Sequence, residues 1–191
     1  MILSFFLRLK ECHIYTNTFS KIYKITETRE VADNILCFIQ EAIENNENRD
    51  IEKLIFSSGP GSFTSVRIVN SIAKGLYIVN KATKFISVSS FLTYLYSLST
   101  GEGLIAIPTM RGDFFVAEYY DNILKEFEIL SIEDIGKYRK NTIFEFDEAF
   151  NSQNLARNQF KVLSSELAVK NKSLVSDLLH VSYGFTPEYK H

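Results

Sequence analysis

Ser57-Ser58-Gly59-Pro60-Gly61-Ser62-Phe63-Thr64-Ser65-Val66-Arg67-Ile68 follows directly on the apolar run Leu54-Ile55-Phe56. An apolar run stopped by Gly-Pro-Gly reads as a buried strand, and the residues after the turn recur with helical spacing. The junction is therefore strand, loop, helix. It can present backbone N–H groups at the helix start, where an anion or a partner docks. Ser62 stands where an N-cap belongs. The helix is expected over 63–79 and is apolar nearly all round, with Val66, Val69, Ala73 and Leu76 on one side and Ile68, Ile72 and Val79 on another. Ser65, Ser71 and Gly75 permit close approach of a second helix. Gly75 inside a helix costs up to ~1 kcal/mol relative to Ala, which predicts a packing reason for it. Two readings of this girth stay open: a helix buried inside the protein, and a helix that shows one face to a partner.

Upstream, Ile2–Arg8, Cys12–Thr16 and Lys21–Thr26 read as an antiparallel meander of three strands. A helix is expected from about Thr28, a candidate N-cap, to Asn45. Its apolar positions form one stripe of Val31, Ile35, Phe38, Ile39 and Ala42, flanked by Ala32, Leu36 and Ile43, which is more than one sheet contact requires. Downstream come a strand at Lys84–Val88, a helix near Ser89–Leu98 and a break at Gly101 and Gly103. A second meander follows at Leu104–Ile107, Phe114–Tyr120 and Lys125–Leu130, then a helix near Ile132–Lys140 and a strand near Thr142–Phe146. The remainder is polar, with weak helical patterns at Ser165–Lys172 and Leu174–Leu179. Mixed sheets flanked by helices, given twice, predict an α/β fold of two related lobes. The expected boundaries are 1–101 for the first lobe and 102–191 for a smaller second lobe and tail.

With 191 residues, 46% hydrophobic and 23% charged, the chain has the composition of a soluble globular protein. A net charge of −2 without a long basic run speaks against tight unaided binding to tRNA phosphates. Cys12 and Cys37 lack metal or redox spacing and read as reduced thiols, Cys37 as a small apolar helix residue. The apolar start, Met1 to Leu7, has Arg8 and Lys10 after it rather than before it, so it reads as a strand and not a signal peptide. No segment approaches the ~20 apolar residues of a membrane span. The expected compartment is the cytoplasm, with no membrane contact.

The string from Gly59 through Lys74-Gly75-Leu76 resembles the GPGSFTGLRIG…AKGLA segment of the TsaB (YeaZ) family, bacterial proteins of tRNA threonylcarbamoyladenosine biosynthesis. Ser87-Val88-Ser89-Ser90 is similar to that family's GVSSL segment, and Ala106 through Asp113 is similar to AIDARRGE. Tyr183 through Tyr189 resembles a family C-terminus, and Glu30 through Leu36 falls where the family has a helix bearing an HSE motif, without its His. The resemblance covers residues 1 to about 120 and the tail, and the part between is shorter than in typical members. It implies the two-lobed actin/Hsp70-like (ASKHA, RNase H-like) fold, with the second lobe reduced.

The resemblance also implies a role. In the family, the two first-lobe helices pack against those of the partner TsaD, and this chain is expected to be a non-catalytic subunit of that kind. TsaE and TsaC are implied as members of the complex and of the pathway, with tRNA reached only through the complex. The residues expected at the partner contact are Leu36, Ile43, Val66, Arg67, Val69, Ile72, Ala73 and Leu76. Gly59, Gly61 and Ser62 are expected to line an anion or nucleotide loop, with ATP or ADP at the interface with TsaD as the cofactor in view. No intrinsic cofactor is expected. Phe6 and Leu7 stand where the family's first phosphate loop has Asp and Thr, and Pro108 replaces the Asp of the second. Apolar side chains cannot hold Mg²⁺, which takes oxygen ligands. His13, His180 and His191 are far apart and form no helical His pair, so neither a metal site nor a catalytic residue is assigned. Two other readings stay open, a self-associating actin-like pseudo-ATPase that forms a homodimer, and a nucleotide-dependent kinase-like enzyme.

Overall fold

Residues Ile2–Arg8 form β1, and their alternation sets the layers of the fold. Leu3, Phe5 and Leu7 enter one hydrophobic core and Phe6 enters another on the opposite face. The computed structural model describes residues 1–8, 11–25, 31–80, 82–98, 101–109, 111–138, 141–147, 150 and 153–176. β2 (Glu11–Thr16) and β3 (Ser20–Lys24) complete the antiparallel meander. The chain then forms α1 (Val31–Glu44), β4 (Lys53–Ser57), α2 (Phe63–Val79), β5 (Lys84–Val88) and α3 (Ser90–Tyr96). β4 runs parallel to β1 and β5 parallel to β4, giving the strand order β3-β2-β1-β4-β5. Ile35, Ile39 and Ala42 of α1 and Val69 and Ala73 of α2 bury the Leu3–Phe5–Leu7 face. Thr28, the expected cap of the first helix, lies outside the described residues.

The second sheet has β6 (Glu102–Pro108), β7 (Phe114–Tyr120), β8 (Ile123–Leu124), β9 (Glu128–Leu130) and β10 (Thr142–Phe144). β6 and β7 are antiparallel, β8 and β9 both pair with β7, and β10 lies parallel to β6. The expected third strand of this lobe is thus split in two. Asp121 and Asn122, with φ of 47° and 62°, make the two-residue turn that right-handed hairpin twist favours. Among the described residues the crossover to β10 holds α4 (Ile132–Ile135), and the part of the expected helix at 139–140 lies outside the described residues. The second sheet repeats the first through its fourth strand and stops there.

The return of the chain corrects the expected boundary. α5 (Leu155–Val162), α6 (Glu166–Lys170), a single 3-10 turn (Lys172–Leu174) and β11 (Val175–Ser176) follow β10. β11 pairs antiparallel with β5, so it closes the first sheet rather than the second. α5 packs on the Phe6 face of that sheet, between the two sheets and beside α3. Residues 155–176 therefore belong with the first lobe, and the helix expected at Leu174–Leu179 is replaced by this strand where described. α5 was not expected, because it is buried through polar side chains. Asn154 caps it by accepting from Arg157 N–H at 3.1 Å and donates to Ile14 O at 2.9 Å. Gln159 is fully buried, and in the amide orientation that satisfies both of its ends it donates to Phe5 O at 3.2 Å and accepts from Ser57 N–H at 2.9 Å. It joins β1 to β4 where their ladder ends.

Candidate functional site

The Gly-Pro-Gly loop is held from both sides. Gly59 has a φ of 90°, a conformation that glycine adopts without the Cβ clash. Its carbonyl accepts from Ser90 N–H at 2.9 Å, and Ser57 Oγ lies 2.6 Å from Ser90 Oγ. Gly61 differs, since a Cβ there would meet only Val66 at 3.7 Å, an ordinary contact. Ser62 occupies the cap position of α2 but makes no side-chain cap bond. The loop borders a crevice between the sheets that Phe6, Ser62, Ser90 and Glu145 also line, and its free volume of about 10 Å³ is room for one water. Gly61 and Ser62 thus line a nearly filled space.

What fills it is legible residue by residue. Phe6, buried, sets its ring edge-on to Tyr94 at 5.7 Å and to His13 at 6.3 Å. Leu7 turns into the other core, and Pro108 ends β6 half-buried. Arg8 is buried as well, close enough for its charge to act on His13, Tyr94 and Glu145. Glu145, 6% exposed, sits one residue beyond β10 and accepts the Tyr94 hydroxyl proton. Burial holds its carboxyl above the usual range, opposed by Tyr94 and Arg8. Sequence reasoning passed over Glu145, although its place two residues from Ile143, on the same face of a strand pattern, was a usable signal. Among the described residues no group of three or more His, Cys, Asp or Glu is placed to hold a metal ion.

The second candidate surface is the outer side of α1 and α2. Leu36 is 52% exposed, Ile43, Ile72 and Leu76 are half-buried, and Arg67 is exposed. Val66, Val69 and Ala73 are not available there. Val69, only 2% exposed, and Ala73 belong to the core with β1 and β4, Val66 is buried beside the crevice, and their expected place at the partner contact is corrected to the protein's own interior. The exposed apolar residues instead include Ile78 at 74% and Val79 at 86%, with Tyr77 beside them against Phe85. Coarse phasing had given no contact role to Ile78. Gly75 is exposed and a Cβ there would meet nothing within 4 Å, so its packing reason is absent from this chain. Cys37 is exposed on α1, contrary to expectation, while Cys12 is buried and its thiol is pushed up to about 12 by desolvation.

The sequence model of the TsaD family, tRNA N6-adenosine threonylcarbamoyltransferase, matches residues 26–183. The chain belongs to the TsaD family. Within it the fold is that of YeaZ. YeaZ from Pseudomonas aeruginosa superposes with a TM-score of 0.66 at 15% identity, covering 88% of this chain and 93% of that one. A crystal structure of an uncharacterized protein with similarity to peptidase YeaZ from Pseudomonas aeruginosa gives 0.56 at 14% identity, with the same coverage. No curated protein sequence matches the chain. The strand order β3-β2-β1-β4-β5, repeated in part by the second sheet, is the ASKHA-like pattern of this TsaD-family domain. No helix among the described residues is long and apolar enough to cross a membrane.

Proposed function

We propose that this TsaD-family chain serves in tRNA threonylcarbamoylation as a non-catalytic subunit that docks on a TsaD partner through the outer faces of α1 and α2. The observation that carries the reading is Leu36, Ile78 and Val79, large apolar side chains left in water on the two helices that cover one face of the first sheet and whose core positions are already filled. A stable interface of roughly 1,600 Å² in total needs such a centre, ringed by Arg67, Ile43, Ile72 and Leu76. Gly75 supports it, because a helix glycine without an intrachain neighbour leaves room for another backbone. The filled crevice supports the non-catalytic part: Phe6, Leu7 and Pro108 offer no side-chain oxygen to a metal-bound phosphate. That chemistry also disfavours a kinase-like enzyme. TsaE and TsaC would act in the same pathway, and tRNA would be reached through the complex, given a net charge of −2. ATP or ADP at the boundary with TsaD, against Gly59, Gly61 and Ser62, is the one nucleotide placement this reading retains.

A second reading has its own observation. The exposed side of α1 carries Asp33 and Glu44, that of α2 carries Arg67 and Lys74, so two copies could pair α1 with α2 in both directions. Light scattering after size-exclusion chromatography separates the two. A 1:1 complex with TsaD from the same organism, lost in Leu36→Glu and Ile78→Glu variants that keep their circular dichroism, is the expected result. Self-association without a complex would refute the partner assignment and favour the homodimer.

A further inference from the structure

In two-lobed α/β folds the space between lobes is where hinge motion concentrates. Here a continuous set of buried bonds crosses that space. Glu145 N–H donates to Ala106 O at 2.9 Å, which fixes the residue to β6 of the second sheet. Its carboxylate accepts from Tyr94 O–H, and Tyr94 is fully buried on α3, with its ring against Phe6 of β1 and, at 4.7 Å, against Phe150. The first residue of α3, Ser90, donates its N–H to Gly59 O and shares a hydroxyl contact with Ser57 at the end of β4. Gly59 in turn donates to Ser57 Oγ at 3.3 Å.

We propose that Glu145 is a latch: by holding the Tyr94 hydroxyl it pins α3 to the second sheet, and α3 through Ser90 holds the Gly59–Ser62 loop and the start of α2 shut against the crevice. Glu145 lines the same crevice as Gly61 and Ser62, so the second lobe supplies the group that keeps the loop closed. The arrangement suits a subunit whose task is to present α2 in one position. A buried polar network of this kind specifies one arrangement only when its members are satisfied, and removing a single member releases the others.

Hydrogen–deuterium exchange read by mass spectrometry on the full chain tests this. Tyr94→Phe keeps the ring packing and deletes only the donor, and Glu145→Leu keeps most of the volume and deletes the acceptor. Both are expected to raise exchange of the amides in 57–66 about tenfold or more, while amides of α1 in 36–44 change less than twofold. Unchanged exchange at 57–66 in Tyr94→Phe would overturn the latch. So would an equal rise in α1, because the bond would then be supporting the whole fold rather than the loop. Should Glu145→Leu fail to fold, the Tyr94→Phe result decides alone.

Discussion

His13 offers a prediction whose size follows from its surroundings. Its ring is fully buried, Nδ1 accepts from Leu155 N–H at 3.3 Å, and the neutral tautomer therefore carries its proton on Nε2, 3.4 Å from the Glu11 carboxylate. Burial first, and the Arg8 charge second, bring its pKa from 6.5 down to about 4. An unfolded chain takes up a proton below pH 6.5 and the native one does not until about pH 4. Stability tied to His13 is therefore whole above pH 6.5, is lost as the pH falls through that window, and is constant below it. At about 1.4 kcal/mol per unit the full loss is about 3.5 kcal/mol, with about 1.4 of it gone at pH 5.5 and about 2.5 at pH 4.5. His13→Gln can still accept from Leu155 and does not titrate, so it serves as the reference that cancels every other group. Urea unfolding of both proteins from about pH 7.5 to 4.5 is the assay. The advantage of the wild type over the variant should shrink by those amounts. A difference that stays flat across the window would refute the reasoning, whatever the absolute stabilities.

Gly75→Ala should raise the unfolding free energy by about 0.5–1 kcal/mol, because the helix gains propensity and the added methyl meets nothing. The same variant should weaken TsaD binding measured by calorimetry, if the partner backbone fills that space. Ile78→Glu should leave the melting temperature within a few degrees of wild type and reduce partner binding at least tenfold, whereas Val69→Glu, a charge set against β1 and β4, should fail to give a cooperative melt. Gly103→Ala places a Cβ 2.7 Å from Asn141 O and 2.8 Å from the Tyr119 hydroxyl oxygen, and should cost about 1–3 kcal/mol in urea unfolding. A loss near zero would mean that the β6–β10 end relaxes freely.

Much of the first lobe could be read from residue order. A short apolar run gave β1, polar turns and apolar spacing gave β2 and β3, and the apolar run before Gly59-Pro60-Gly61 gave β4 and the start of α2. The phase of α2 was less accessible: a helix apolar nearly all round does not say which stripe meets the sheet, and packing on β1 and β4 took Val69 and Ala73 while leaving Ile78 and Val79 out. α5 escaped notice for a different reason. Its sequence Leu-Ala-Arg-Asn-Gln-Phe-Lys-Val is polar, and Asn158 and Gln159 are buried because they satisfy strand and loop groups, a cause that hydropathy cannot register. The loss of carboxylates at Phe6 and Pro108 was plain in the sequence. The burial of Glu145 was not, since it depends on β10 pairing with β6 after a crossover of more than thirty residues.

The order of synthesis meets an obstacle in the return of α5 and β11. Phe6, Ile55 and Val88 all face the side of the first sheet that α5 covers, and β5 gains its outer neighbour only at Val175. As the ribosome adds ~5–20 residues per second, that greasy face stays uncovered for several seconds after its own strands have emerged. A nascent chain halted near residue 101 carries every strand of the lobe except its last and still lacks a lid. Such a fragment should be found bound to chaperones or in the insoluble fraction, and the lobe is a unit only once the chain has passed through its neighbour and come back.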